Sequence, residues 1–507
     1  MRSVTERFFR IKWFLANYQG LGRELLLESE MSSEVIDLVL FRVPLYRDLN
    51  GLLLSVKPFG QHIKMWLNPA DGILAGENLP IYRFKTDPNN RRLMDIRTDT
   101  ELIKSLLPQL YENTLYASTI AVNNHPDGGQ SMKGFIGDKY IQPVPSRLME
   151  HAKRHRKSIN DTPDHESDNK IYHFVHKIPQ TKMHSPSLKK SYLPRVLIRP
   201  KKVYPAIIYP ELLVIADYNF FARFRGIEDA ILYLITFWNG VDMRYRSLEN
   251  PKVRLNIAGI LFAEDPYILS YIRVLNENFM GLTKILRAKG KWLYFMQKLI
   301  PINSYDIAVT MTPFTLCENL ADCRILGQVA EIAGACHVDD GKKTMGRVAI
   351  IHDRGAFDGI NTAAHELGHL FGMRHDGTVN QNCEARHGFM MAPSQEFTKY
   401  AFEWSQCSLI DMQNFLMSQR ASCLNNKPNE GKPIYRYLPG RLMNANQQCR
   451  ILNSGSAAVI DDSICTELKC SINNSRDPLP EAAEGTACGN GKMCLHGKCI
   501  FESQINL

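Results

Sequence analysis

Residues 361–377, NTAAHELGHLFGMRHDG, set His365, Glu366, His369, Gly372 and His375 into an otherwise apolar run. That spacing leaves the backbone few choices. In a helix, His365 and His369 project from one face a turn apart. Gly372 ends such a helix well, because it takes a left-handed conformation without penalty. The chain then turns and returns His375 towards the first two. Three neutral imidazoles meeting at one point suit a tetrahedral metal, and the open fourth position distinguishes a catalytic zinc from a closed structural one. Glu366 lies one position round the helix, within reach of a bound water but poorly placed to compete as a ligand. Leu367, Leu370, Phe371 and Met373 would seat the helix. A His-Glu-x-x-His match alone also occurs by chance in ordinary helices; the added glycine and third histidine decide for zinc. The pairs His151/His155 and His173/His176 carry no carboxylate partner and read as solvated.

The cysteines constrain the rest. None of the twelve precedes Cys317. An even number crowded into one end of a chain predicts a disulfide framework and an oxidising compartment. The sequons at Asn160 and Asn473 are permissive of that. The N-terminal stretch MRSVTERFFRIKWFLANYQG pulls the other way, since Arg10 and Lys12 interrupt any apolar signal core. The expectation is therefore a secreted protein without an evident signal peptide. An intracellular protein with free thiols is the rival, and the cysteines weigh against it. No run approaches the ~18 apolar residues a membrane span needs.

The net charge of +9 would suit a nucleic-acid partner, but its location does not. Residues 151–202 hold thirteen Lys/Arg against four Asp/Glu, and the rest of the chain is close to neutral. This stretch reads as an exposed basic linker rather than a basic face, and no nucleic-acid role is expected. Beyond it, AIIYPELLVIADYNFF and VRLNIAGILFA read as buried strands, and IEDAILYLITFWNGVDMRY has helical periodicity. A long helical region is expected over 266–299, followed by short strands in DIAVTMT and RVAIIHD. Alternating strands and helices predict an α/β domain over 203–428. Residues 429–507 are short of large apolar side chains and would need their six cysteines as staples.

On these residues the chain resembles a known family. His-Glu-x-x-His-x-x-Gly-x-x-His is the metzincin zinc signature, and the following Asp376 is the form seen in the reprolysin (adamalysin-like, ADAM/ADAMTS) branch. HGFMMAP at 387–393 resembles the Met-turn, with Met391 the better match and Met390 the alternative. EWSQCS and SCLNNKP resemble the closing segments of a reprolysin catalytic domain. The tail, through EAAEGTACGNGKMCLHGKC, looks like an ADAMTS-type cysteine-rich module, and arthropod reprolysins, including venom metalloproteinases of parasitoid wasps, share this short layout. KGFIGDKYIQPVP and YHFVHKI faintly resemble a reprolysin propeptide. The departures are that no tryptophan follows Trp404, so no thrombospondin-type repeat is expected, and that the propeptide region lacks cysteine.

The resemblance implies a metzincin catalytic domain, with a twisted mixed sheet, helices and zinc in the cleft. A propeptide domain (1–150) and the linker (151–202) precede it, and the disulfide-rich module (429–507) follows. It implies a secreted zinc endopeptidase, made as a zymogen, acting on protein substrates, with zinc held by His365, His369 and His375. Glu366 would be the base that takes a proton from the zinc-bound water. It further implies a structural calcium at Glu211, Asp306, the Cys423 carbonyl and Asn426, and the disulfides Cys336–Cys423 and Cys383–Cys407. The strand GRVAIIHD (346–353) is expected at the sheet edge, where an extended peptide could pair. The tail's six cysteines leave fifteen pairings open, and oligomeric state is not legible. Maturation is expected after Lys202 or within KRHRK, and latency must work without a propeptide thiol, sterically or through another ligand such as one in NNHPDGG (123–129). A non-catalytic binding protein is the remaining rival, weakened by the intact Glu366 and histidines.

Overall fold

The computed structural model describes segments between residues 36 and 177 and most of 204–501. The maturation region around Lys202, KRHRK, both sequons and most of NNHPDGG lie outside the described residues.

A seven-stranded sheet forms the centre of the molecule: β1 (Ile81–Thr86), β2 (Met94–Asp99), β3 (Glu211–Ala216), β4 (Asn256–Ala263), β5 (Ile307–Thr312), β6 (Gly327–Val329) and β7 (Val348–His352). Their spatial order is β6-β7-β5-β3-β4-β1-β2. The inner pairs are parallel, and the two outer ones, β6–β7 and β1–β2, are antiparallel. Parallel strands are buried on both faces and so read as continuous apolar runs. Leu212, Val214 and Ala216 of β3 face one core, shared with the helices α1 (Ile227–Tyr245) and α3 (Ile360–Leu370). Leu213 and Ile215 face the other, which Leu286, Trp292 and Leu293 of α2 (Ile285–Met296) cover. A fourth helix, α4 (Gln406–Leu416), is capped by the Ser405 side chain. The mixed α/β class expected from the sequence is what forms. Of the helical region expected over 266–299, only α2 is helical among the described residues; Phe279–Gly281 is instead a short strand beside Thr315–Cys317.

Several placements differ from the expectations drawn from the sequence and the resemblance. The strand GRVAIIHD is not the sheet edge: β6 pairs outside it, Gly327 opposite Ile351, and β7 is buried throughout, as an interior strand must be. Ile81–Thr86 and Met94–Asp99, placed by sequence with the N-terminal region, extend the central sheet at its far side. The rest of that region contributes to a nine-stranded sheet whose pairs are antiparallel. Ile171–Lys177, inside the stretch read as linker, is one of its strands, pairing with both Ile36–Phe41 and Lys139–Pro143. His173, expected to be solvated, is fully buried there and accepts a hydrogen bond from the Met132 amide at 2.9 Å. Strand alternation turns it inward.

Beyond residue 438, the helix Ala445–Asn453 and a three-stranded sheet (Ala487–Gly489, Lys492–Leu495, Lys498–Phe501) are held by the disulfides Cys449–Cys470, Cys465–Cys494 and Cys488–Cys499. With Cys336–Cys423 and Cys383–Cys407 these make five disulfides among the described residues, where no cysteine is free.

Candidate active site

The site is built on α3 and the turn that ends it. Gly372 takes φ +90°, donating its amide to the His369 carbonyl, while the Met373 amide reaches back to Gly368 at 2.9 Å. This closes the helix with a left-handed cap and sends the chain back past its own end. The His375 Nε2 thereby comes within 3.1 Å of His365 Nε2 and 3.0 Å of His369 Nε2.

The outer nitrogens decide what those close approaches mean. His365 Nδ1 lies 2.8 Å from the Met390 carbonyl, and His369 Nδ1 lies 2.8 Å from the Met373 carbonyl. A carbonyl only accepts, so each Nδ1 carries the proton and each Nε2 presents a lone pair. Burial pushes the His365 imidazolium pKa down to about 3, with His369 adding to the effect, and that of His369 down to about 4; burial also lowers His375. All three rings are therefore neutral near neutral pH, and their lone pairs face one another. Tetrahedral zinc with nitrogen ligands at 2.0–2.1 Å sets them about 3.3 Å apart. The residues fit zinc in donor type, tautomer and spacing.

Glu366 follows on the next helical position and is buried, which alone pushes its pKa up to about 8. Edge strand β6 stands against it. A Cβ built on Gly327 would lie 2.7 Å from Glu366 Cγ and 2.8 Å from its Oε1, so the strand approaches this closely only as glycine. Met391 is fully buried, with its sulfur 2.7 Å from where a Cβ on Gly368 would lie, beneath the helix between the two histidines. Met390 supplies the carbonyl that orients His365. Asp376, beside the third histidine, ties the turn down: its amide donates to Met391 O at 2.9 Å and its carboxylate accepts from Ser405 Oγ at 2.6 Å.

Sequence reasoning missed the residues behind α3. Tyr245 donates its hydroxyl to the Ala364 carbonyl at 2.7 Å, and Arg244 Nε donates to Asn361 Oδ1 at 2.7 Å. Arg244 also pairs with Glu484 of the cysteine-rich segment, both side chains buried. Trp404 donates to the Arg244 carbonyl at 2.9 Å. In the sequence Arg244 looks like an ordinary basic residue in a last helical turn; only its distant partners mark it.

Away from the histidines, Glu211, Asp306 and Asn426 come together. Asn426 Nδ2 donates to Glu211 Oε2 at 2.5 Å, and the Glu211 amide donates to Asp306 Oδ2 at 2.9 Å. Burial pushes Asp306 up to about 8, and the Glu211 carboxylate beside it adds to the rise; burial raises Glu211 too. Cys336 and Cys423 lie next to this cluster.

Comparison with known proteins agrees with this geometry. The model of the reprolysin (M12B) family of zinc metalloproteases matches residues 329–428, a reprolysin-like metallopeptidase model matches 231–376, and the ADAMTS cysteine-rich domain 2 matches 439–500. An "A disintegrin and metalloproteinase with thrombospondin motifs like" protein of Bombyx mori is 30% identical, over 89% of this chain and 73% of its own length. Venom metalloproteinase 3 of Eulophus pennicornis is 26% identical, over 62% of this chain and 72% of its own. "A disintegrin and metalloproteinase with thrombospondin motifs 7" of Rattus norvegicus is 30% identical over 58% of this chain, which spans only 18% of that longer protein. The chain belongs to the reprolysin family of zinc metalloendopeptidases, among its ADAMTS-like members.

Proposed function

We propose that this protein is a secreted endopeptidase made as a zymogen, with His365, His369 and His375 holding the zinc and Glu366 as general base. The observation that carries this reading is the convergence of three Nε2 lone pairs while carbonyls hold two of the outer nitrogens. Zinc, when bound, supplies a Lewis acid that polarises the scissile carbonyl and acidifies the attacking water. Glu366 accepts the proton of that water and passes it to the leaving amine. The Met373 and Met390 carbonyls keep the rings in the ligating tautomer. Met391 floors the site. An extended substrate pairs along β6, the true edge, with its scissile bond beside Glu366.

In this reading residues 1–150 form the propeptide domain, 151–202 carry the processing site, 203–428 are catalytic and 429–507 form the cysteine-rich module. Glu211, Asp306, Asn426 and the Cys423 carbonyl bind a structural calcium; an all-oxygen set with one buried and one half-buried carboxylate suits a hard cation. Substrates are extracellular proteins. Disulfide density supports export. Among the described residues no helix is long and apolar enough to cross a membrane.

The test is turnover of a denatured protein substrate by the processed, zinc-supplemented protein. Chelation should abolish cleavage and added zinc restore it. Glu366→Gln should keep one zinc per chain and lose turnover, since a positioned base contributes ~10²–10⁴-fold. Retention of about a tenth of wild-type kcat would remove Glu366 from its role. Absence of turnover in zinc-loaded wild type would favour a binding protein instead.

A further inference from the structure

The central sheet does not begin where the catalytic sequence pattern begins. Two of its seven strands, β1 and β2, come from the N-terminal region. They attach through the backbone: β1 runs parallel to β4 with Ile81 opposite Ile260 and Phe84 opposite Ala263. The amides of Ile257, Ile260 and Glu264 donate to the carbonyls of Leu74, Pro80 and Phe84 at 2.6, 3.1 and 2.8 Å. The side chains go inside. Leu74, Leu79 and Ile81 belong to the same buried cluster as Trp238, and Phe84 lies in the opposite core, 6.1 Å from Trp292. The segment thus closes both faces of the sheet at once. Arg83 adds an ion pair to Glu264 at 2.5 Å. From the other side, the Ile434 amide donates to the Ala75 carbonyl at 3.2 Å, so chain that follows the catalytic segment crosses over this one.

A segment made to be discarded has no need to complete a core. Losing β1 would leave the amides of Ile260 and Glu264 without partners on a bare strand edge and uncover apolar side chains on both faces. The sheet order also places β1–β2 at the end opposite β6, which flanks Glu366. Keeping the hairpin therefore costs nothing at the cleft edge.

We propose that the N-terminal region remains bound after the chain is cut, so that the processed protease is a two-chain protein whose N-terminal chain donates β1 and β2. The cut itself rests on the processing site proposed above for 151–202. Latency and its release then have to be separate from physical loss of this chain.

The experiment uses the full chain with a site for a sequence-specific protease inserted between residues 182 and 190 and an affinity tag at the N-terminus. After complete cleavage, the two chains should elute together on a native sizing column, both in low salt and in about 1 M salt, where ion pairs are screened. Amide exchange should leave Ile260 and Glu264 as protected in the cut protein as in the uncut one. Arg83→Ala, which removes only the partly exposed ion pair, should leave co-elution intact and speed exchange of the N-terminal chain against a labelled copy by several-fold. Separation of the chains on the native column, or a hundredfold loss of protection at Ile260 and Glu264 on cutting, would overturn the proposal. Because the cut is engineered, an absence of natural processing in 151–202 would remove the zymogen reading and leave this result standing. Release of the N-terminal chain would do the reverse.

Discussion

Gly327→Ala is the smallest change that tests whether β6 positions the chemistry. The added Cβ would stand 2.7 Å from Glu366 Cγ and 2.7 Å from Thr362 Cγ2. Carbon atoms normally approach to ~3.5–4.0 Å, so the conflict is about 1 Å on two contacts at once. Both atoms sit on α3, which is fixed in the core it shares with α1, so the side chain of Glu366 or the three-residue edge strand must give. Overpacking of this kind costs ~1–3 kcal/mol where nothing can move. An edge strand with one neighbour moves, and the stability loss should be nearer ~1 kcal/mol. Catalysis is less forgiving, because a displacement of ~1 Å can cost ~10²-fold, equivalent to ~2.7 kcal/mol in the barrier. The assay is kcat and KM on a fluorogenic peptide, with zinc content and thermal midpoint measured on the same preparations. Expected are a kcat reduced ~30–100-fold, one zinc per chain and a midpoint within a few degrees of wild type. Gln328→Ala is the control: the next residue is exposed and strand alternation turns it to the other face, so kcat should hold. A Gly327→Ala enzyme within about twofold of wild-type kcat would refute the claim that β6 and Glu366 are in register.

Glu484→Ala takes the nearer of two carboxylates from the buried Arg244 guanidinium, leaving Glu481 at 3.4 Å; breaking a buried pair costs ~3–5 kcal/mol where no second partner remains, so a smaller loss is expected, measured by denaturant unfolding. Because this pair joins the two parts, the wild-type protein should unfold the catalytic and cysteine-rich parts in one transition, and two separable transitions in the wild type would contradict the coupling. Tyr245→Phe removes one buried hydrogen bond to α3 and should cost ~1–2 kcal/mol without changing zinc content. Lys289 is buried with its Nζ donating to the Ala308 and Ala349 carbonyls, and burial holds its pKa well below the usual lysine value. The unfolded chain therefore binds a proton that the folded one resists, so this residue adds stability as pH rises towards ~10.4, with a slope of at most ~1.4 kcal/mol per pH unit. Lys289→Met should lose that slope relative to wild type between pH 7 and 10, and parallel pH profiles would refute it.

The pattern over 361–377 was legible because it is local: helix spacing, a glycine stop and a returning histidine all lie within one short segment, and backbone geometry carries them to one point. The apolar runs of β3, β5 and α1 were legible for the same reason, since burial on both faces writes itself into composition. Pairing was not. A strand's own residues do not say which neighbour lies outside it: the apolar run GRVAIIHD suits an interior strand, the family resemblance placed it at the edge, and three residues with little hydrophobic signal, Gly327–Val329, took that place. Nor does a sequence say that Ile81 will lie against Ile260, 179 positions later, or that Arg244 will find Glu484, 240 positions later. The tail illustrates the division most plainly. Six cysteines announced three disulfides and left fifteen ways to join them; only folded proximity selected Cys449–Cys470, Cys465–Cys494 and Cys488–Cys499. Chemistry at short range is set by the order of residues, and contacts at long range are set by which cores close, a property of the whole chain.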